Sequence, residues 1–222
     1  MPSARESRAA LQLLTGAATG SGGELLSRLS GRPESQRLTL LETVPGLIDY
    51  YSDGSSALAL DFYEEQRELA GVVTQFVPSP AAPDRVVKVR RAVAWASEPL
   101  FAEVPDVAGV ASRLGEVIQL EVARPYRATV LANTAADPAA VGWKRITNGG
   151  CKLCRMLADR GAVFKETTAT FAAHPNCHCT AAPVFVGGEI GPEASALQYR
   201  ASSRNRTAKQ QANLREYLNE FY

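Results

Sequence analysis

The spacing of apolar residues predicts helices for most of residues 1–76. Leucines recur at helical intervals through the first 30 residues, and the run Gly20-Ser21-Gly22-Gly23 predicts a break between two short helices. A second apolar stripe covers residues 35–76, where Pro45-Gly46 and Ser52-Asp53-Gly54 predict a division into two further helices. These stripes are typical of helices that pack against one another.

Residues 106–135 form the longest helical candidate. Pro125 predicts a kink in this helix, and Asp137-Pro138 predicts that it has ended by that point. Residues 86–96 fit either a helix or a strand. One side of the 106–135 helix is apolar and consists of Val107, Val110, Leu114, Ile118 and Val122.

The pattern changes after Pro138. Residues 141–147 predict a strand anchored by Trp143 and Ile146, and residues 151–160 predict a short helix that ends at Gly161. Two more strands are expected at residues 163–164 and 180–186. Residues 141–186 therefore predict a small α+β module.

The C-terminal residues predict a linker and a final helix. Residues 187–192 have the composition of a linker, and Thr207 is a suitable N-cap for an amphipathic helix that carries Leu214, Leu218 and Phe221. This apolar stripe fits packing on the protein itself or docking to a partner. The fold class expected is α+β and predominantly α-helical, with a helical region at 1–140, a metal-stapled module at 141–186, and a linker and helix at 187–222.

All four cysteines and both histidines lie between Cys151 and Cys179. Thiolate and imidazole donors at this spacing favour a structural zinc ion in a tetrahedral site. Cys151 and Cys154 are the firmest ligands, because a two-residue spacer lets one turn present both sulfurs. The other ligands stay open: His174 combines either with Cys177, in a second short loop, or with Cys179, across a four-residue spacer. His178 ranks last, because alternation along a strand turns it away from its cysteine neighbours.

The cysteine cluster has three alternatives to a structural zinc. Two disulfides would require an oxidising compartment, yet the N-terminus lacks the apolar run of a secretory signal. Unligated core cysteines rarely show such spacing. A catalytic zinc would need an open position and a base, for which the window offers only Asp159 and Glu166.

Composition, charge and motifs bear on three kinds of function: membrane association, nucleic-acid binding and catalysis. No stretch approaches the ~20 apolar residues that cross a bilayer, so no membrane association is expected. Residues 141–222 hold 11 Lys and Arg against 6 Asp and Glu, which permits contact with nucleic acid, although nearby cations also stabilise a thiolate cluster. Both histidines lie in the cysteine cluster and the usual hydrolase and nucleotide motifs are absent, so no catalytic residues are predicted.

Three segments carry a family resemblance: Gly142-Trp143-Lys144-Arg145-Ile146, Arg160-Gly161-Ala162-Val163-Phe164, and the run from His174 to Thr180 that follows the C-x2-C pair. Together they resemble the head-morphogenesis proteins of tailed bacteriophages that are similar to protein F of phage Mu, in the form found in phages of actinobacteria. The resemblance covers roughly residues 106–186 and the tail. It places the metal ligands at Cys151, Cys154, His174, Cys177 and Cys179, whereas His178 stands where the family often has Arg.

The resemblance implies a minor capsid protein inside the phage head, which would be assembled in the host cytoplasm. Such a protein acts in capsid assembly and in DNA packaging or ejection. The partners expected are the portal protein, the major capsid or scaffold protein, and the packaged DNA. Relatives are often labelled capsid maturation proteases, and this enzyme reading is the leading alternative. A zinc module that binds nucleic acid is the second alternative.

Overall fold

The computed structural model describes residues 4–81, 85–147, 151–159, 161, 163–164, 171, 173–174, 176–188 and 207–221. The protein is mostly helical, with a small antiparallel sheet that packs on the helix Val107–Ala136. The helices and strands, in chain order, are α1 Ala4–Arg28, α2 Pro33–Leu69, α3 Val86–Ala96, a 3-10 turn at Glu98–Phe101, α4 Val107–Ala136, β1 Ala140–Ile146, α5 Lys152–Asp159, β2 Val163–Phe164, β3 Thr180–Phe185 and α6 Ala208–Phe221.

Helix α1 is one unbroken helix, so the predicted break at residues 20–23 is wrong. Gly22 is buried in the helix, and a Cβ atom at this position would collide with the Cδ1 atom of Ile118 on α4. The glycine therefore serves close packing of α1 against α4 rather than a turn. This close approach outweighs the low helix propensity of glycine.

Helix α2 is also continuous, and its predicted division at Pro45 and at residues 52–54 is wrong. Pro45 has no N–H to donate to the carbonyl of Leu41, but Arg90 of α3 donates to that carbonyl at 3.0 Å. A buried face then runs the length of the helix and favours one long helix over two short ones. This face includes Leu40, Val44, Ile48, Ser52, Ser55, Ser56, Ala59, Phe62 and Tyr63.

Helix α4 begins at an N-cap and continues through its internal proline. The Asp106 carboxylate accepts a hydrogen bond from the N–H of Gly109 at 2.8 Å, as expected of an N-cap. Pro125 leaves the carbonyl of Glu121 without its helical donor, and Arg85 donates to this carbonyl at 3.2 Å. An arginine side chain thus replaces the missing backbone donor at both internal prolines: Arg90 of α3 does so at Pro45, and Arg85, just before α3, does so at Pro125.

The Glu121 side chain is buried among cations. Its carboxylate pairs with Arg85 at 2.5 Å, with Lys88 at 3.0 Å and with Arg124 at 3.1 Å. Burial alone would raise the pKa of Glu121, but the three cations together hold this pKa below its usual value. The ion pairs attach the start of α3 to the middle of α4.

The three strands lie within one residue of their predicted bounds and form one antiparallel sheet in the order β2-β1-β3. Trp143 on β1 lies opposite Val163 on one side and Pro183 on the other. Pro183 is tolerated because β3 is an edge strand of this sheet. Every residue of β3 is buried, since the strand packs on α4 and α2. Gly161 has a φ of 70° beyond the end of α5, as its predicted role requires.

The apolar core crosses the predicted boundary at residue 140. One cluster joins α1, α2, α3 and α4, whereas a second joins α1, α2 and α4 to β1 and β3. A buried ion pair supports the junction: the Arg67 Nε atom of α2 lies 2.7 Å from the Asp137 carboxylate, which also accepts a hydrogen bond from the Tyr63 hydroxyl at 3.2 Å. The shared core places the sheet against the helices. The division of the chain into separate domains stays a prediction.

Helix α6 confirms the predicted C-terminal helix. The Thr207 Oγ1 atom accepts a hydrogen bond from the N–H of Gln210 at 3.3 Å, and Lys152 of α5 donates to Asn219 at 2.8 Å. Phe221 is 60% exposed, whereas the side chain of Leu214 and most of the predicted linker lie outside the described residues. None of the described helices combines the length and apolar character needed to span a membrane.

Replacement of Arg90 by Met is expected to reveal its compensation of Pro45. The substitution should lower the free energy of unfolding by about 1 kcal/mol, because the Leu41 carbonyl loses its donor. In a Pro45→Ala background the same substitution should cost clearly less, since the backbone N–H of the introduced alanine can donate to Leu41. Urea denaturation of the four proteins measures the coupling, with Arg91→Met as the control. An equal cost in both backgrounds would contradict the prediction.

Candidate metal centre

Three short segments bring the predicted donors together. Cys151 immediately precedes α5 and Cys154 lies in its first turn. Cys177 closes a turn in which its N–H donates to the carbonyl of His174 at 3.1 Å. Asn176 has a φ of 60° in this turn, a left-handed conformation that asparagine adopts more readily than most residues. Cys179 directly precedes β3, so the sheet fixes one side of the cluster.

The donor atoms form two groups that share Cys154. One group joins the sulfurs of Cys151 and Cys154 to the His174 ring, and the other joins the sulfurs of Cys154, Cys177 and Cys179. Within each group all donor atoms lie within 4.8 Å of one another. These five residues can hold a metal ion.

The separations between donors suit a tetrahedral zinc ion. Tetrahedral bonds of about 2.3 Å to sulfur and about 2.05 Å to nitrogen place two sulfurs about 3.8 Å apart and sulfur and nitrogen about 3.6 Å apart. The Cys154 and Cys177 sulfurs are 3.8 Å apart, and the His174 Nε2 atom is 3.6 Å from Cys154 and 3.2 Å from Cys151. The measured pairs are thus spaced for zinc, and a fourth donor would have to move closer to either three-donor group to complete a tetrahedral site.

Burial makes the thiols electrostatically interdependent. Cys154, Cys177 and Cys179 are all buried, with exposures of 2–4%. Hydrogen bonds from Cys154 and Cys179 lower the pKa of Cys177, whereas contacts with Cys177 and Cys179 raise the pKa of Cys154. Negative charge on one sulfur therefore disfavours negative charge on its neighbours, and a divalent cation would relieve this competition.

Two buried arginines flank the cysteines. The Arg145 Nη1 atom is 3.9 Å from the Cys154 sulfur, and the guanidinium of Arg145 lies 3.8 Å from the centre of the Phe171 ring. Arg127 lies on the same ring at 5.0 Å and donates hydrogen bonds to the carbonyls of Cys177 and Cys179. These cations offset the charge of a thiolate-rich site.

His178 lies apart from the two donor groups, in agreement with its low rank among the predicted ligands. It is half-buried beside α1 and α4, next to Arg8, Leu11 and Gln119. Burial lowers the pKa of His178, and the nearby arginines add to this effect. The alternation of side chains before β3 therefore separates His178 from the cysteines on either side of it.

Sequence reasoning missed the residues of α4 that border the cluster. Gln119 and Arg127 are 5% and 4% exposed. The available signal was the presence of charged and amide residues within a long apolar helix, because a buried polar side chain requires a partner elsewhere in the fold. The sequence does not identify that partner.

The fold and the donor set define a class of protein: a helical protein whose small sheet carries a buried Cys/His cluster of the metal-binding type. A family model, described as VG15 protein, matches residues 2–202, and the chain belongs to this family of bacteriophage proteins. The match includes the N-terminal helices as well as the segments that carried the resemblance. No curated protein and no solved structure matches the chain.

Replacement of Cys154 by Ser is expected to lower the zinc content of the purified protein well below one ion per chain. Cys154 belongs to both donor groups, so its loss leaves neither group complete. His178→Ala is the matched control and should retain zinc, since His178 lies in neither group. Elemental analysis of the purified proteins measures the metal content. Full zinc occupancy of Cys154→Ser would contradict the ligand assignment.

Proposed function

We propose that this protein is a minor capsid, or head-morphogenesis, protein of a tailed bacteriophage, with a structural zinc ion. It acts inside the head near the portal, in capsid assembly and in DNA packaging or ejection. Membership of a family of bacteriophage proteins supports the assignment to a phage. The resemblance of the His174–Thr180 run to head-morphogenesis proteins supports the particular role.

The main observation in favour of a structural rather than a catalytic zinc is that the Cys/His cluster has enough protein donors to leave no position open. Five protein donors are available for about four positions, and three of the sulfurs are almost inaccessible to solvent. A catalytic zinc instead has three protein ligands and an open position for water or substrate. Soft thiolate donors also favour zinc over magnesium or calcium.

The zinc would be held by four of the five donors Cys151, Cys154, His174, Cys177 and Cys179. When bound, it supplies a redox-inactive cross-link between the start of α5, the 174–177 turn and the start of β3. Apart from Met156, the described residues of α5 and of the 174–177 turn contribute only cysteines to the buried apolar residues, so metal binding would contribute to the folding of these two segments. A rigid C-terminal module would then be presented to other head proteins.

Helix α6 is the proposed contact with the portal protein. Tyr217 and Phe221 are 44% and 60% exposed, and their ring centres are 4.9 Å apart on the same helix. Exposed aromatic pairs of this kind are frequent anchors at protein interfaces. The hydrogen bond from Lys152 to Asn219 ties the helix to α5 and hence to the metal module.

A binding experiment with the portal protein of the same phage tests this proposal. The full chain should bind the portal, and the double variant Tyr217→Ser/Phe221→Ser should bind about tenfold more weakly or worse, because it removes the aromatic anchors. Val104→Ser is the matched control, since Val104 is 79% exposed elsewhere on the surface. Biolayer interferometry measures the affinities, and mass spectrometry of purified virions tests for the protein in the head.

Two outcomes would replace the proposal. Cleavage of the capsid or scaffold protein during incubation, detected by intact mass, would favour a maturation protease. Binding to DNA that weakens steeply with salt, without binding to the portal, would favour a nucleic-acid module.

A further inference from the structure

We propose that Arg127 is a positioning residue that couples the metal centre to the helical bundle. On this basis, zinc stabilises the helices α1, α2 and α4 as well as the module that contains its ligands. This proposal rests on the proposed zinc site, and it explains how zinc bound there would stabilise the rest of the fold.

The geometry joins α4 directly to the segment that carries two of the donors. The Arg127 guanidinium donates to the Cys177 carbonyl at 2.6 Å and to the Cys179 carbonyl at 3.0 Å. Gln119, two helical turns earlier on the same face, donates to the Cys177 carbonyl at 3.0 Å. Three hydrogen bonds therefore fix three residues of chain to one buried helix face.

These bonds determine where the two sulfurs lie. In an extended segment the carbonyls of residues two apart point in one direction, and their side chains also share one face. A planar guanidinium can bind both carbonyls of such a segment at once, which a single ammonium group cannot do equally well. By holding the Cys177 and Cys179 carbonyls, Arg127 keeps both sulfurs on the side of Cys154.

The same bonds make the stability of the helical bundle depend on whether residues 177–179 are ordered. Arg127 is 4% exposed, and its Nη1 atom has no hydrogen-bond partner among the described residues. Its helix contributes Ala123, Tyr126 and Val130 to the core shared by α1, α2 and the sheet. Loss of order at residues 177–179 would leave the rest of the guanidinium unsatisfied beside this core, which is unfavourable.

The test compares the full-length parent with Arg127→Met and Arg127→Lys. Zinc affinity is measured by competition with a chromophoric chelator, and helix unfolding is followed by circular dichroism with and without zinc. Removal of zinc should lower the Tm of the helices in the parent. Arg127→Met should bind zinc about 10- to 100-fold more weakly, as is typical when a group that orients a ligand is lost, and its Tm should respond less to zinc. Arg127→Lys should restore only part of both effects.

Arg67→Met is the matched control for removal of a buried arginine. Arg67 pairs with Asp137 rather than with the cysteine segment, so its loss should lower the Tm without weakening zinc affinity. Gln119→Leu removes only one of the three hydrogen bonds and provides a milder variant if Arg127→Met does not fold. It should weaken zinc binding severalfold.

The outcomes separate this inference from the proposed zinc site. A parent protein that binds no zinc would overturn the metal centre itself, and the coupling with it. A parent that binds zinc, together with Arg127→Met and Gln119→Leu variants of equal affinity, would overturn the coupling alone. A helix Tm that does not respond to zinc in the parent would do the same.

Discussion

The central constraint on this fold is the burial of helix α4, because its buried polar side chains need partners inside the protein. Four of these side chains hold three different segments of the chain. Glu121 pairs with the start of α3, and Gln119 and Arg127 bind the cysteine segment. Asn133 exchanges hydrogen bonds with the backbone of Ser79, at 2.9 and 2.8 Å. A buried polar group is costly when unpaired, so these contacts specify where the connecting segments lie as well as stabilising them.

Features of the fold that depend only on residues close together in the sequence could be predicted from the sequence. The Thr207 cap, the Gly161 helix end and the strand at residues 140–146 all follow from short-range rules. The spacing of the cysteines likewise paired Cys151 with Cys154, and the two sulfurs lie in one group with the His174 ring. His178 could be set apart on the same basis, since alternation along an extended segment is a local property.

The predictions that failed depended on distant residues. Gly22 is helical because Ile118 packs against it from a distant part of the chain, and Pro45 is helical because Arg90 donates to the carbonyl that the proline leaves free. Neither partner can be recognised from the sequence around the glycine or the proline. The ligand environment was incomplete for the same reason: Arg127 lies on a helix that the apolar pattern assigned only to packing.

We propose that the metal centre is a structural element that orders the C-terminal module of a phage head protein against a helical scaffold. The most direct test of this proposal is native mass spectrometry of the purified protein before and after treatment with a strong chelator. One zinc ion per chain is predicted, and its removal should make residues 141–186 sensitive to protease. A metal-free chain whose mass is lower by the hydrogens of two disulfides would contradict both the zinc site and the reducing environment in which it is expected to form.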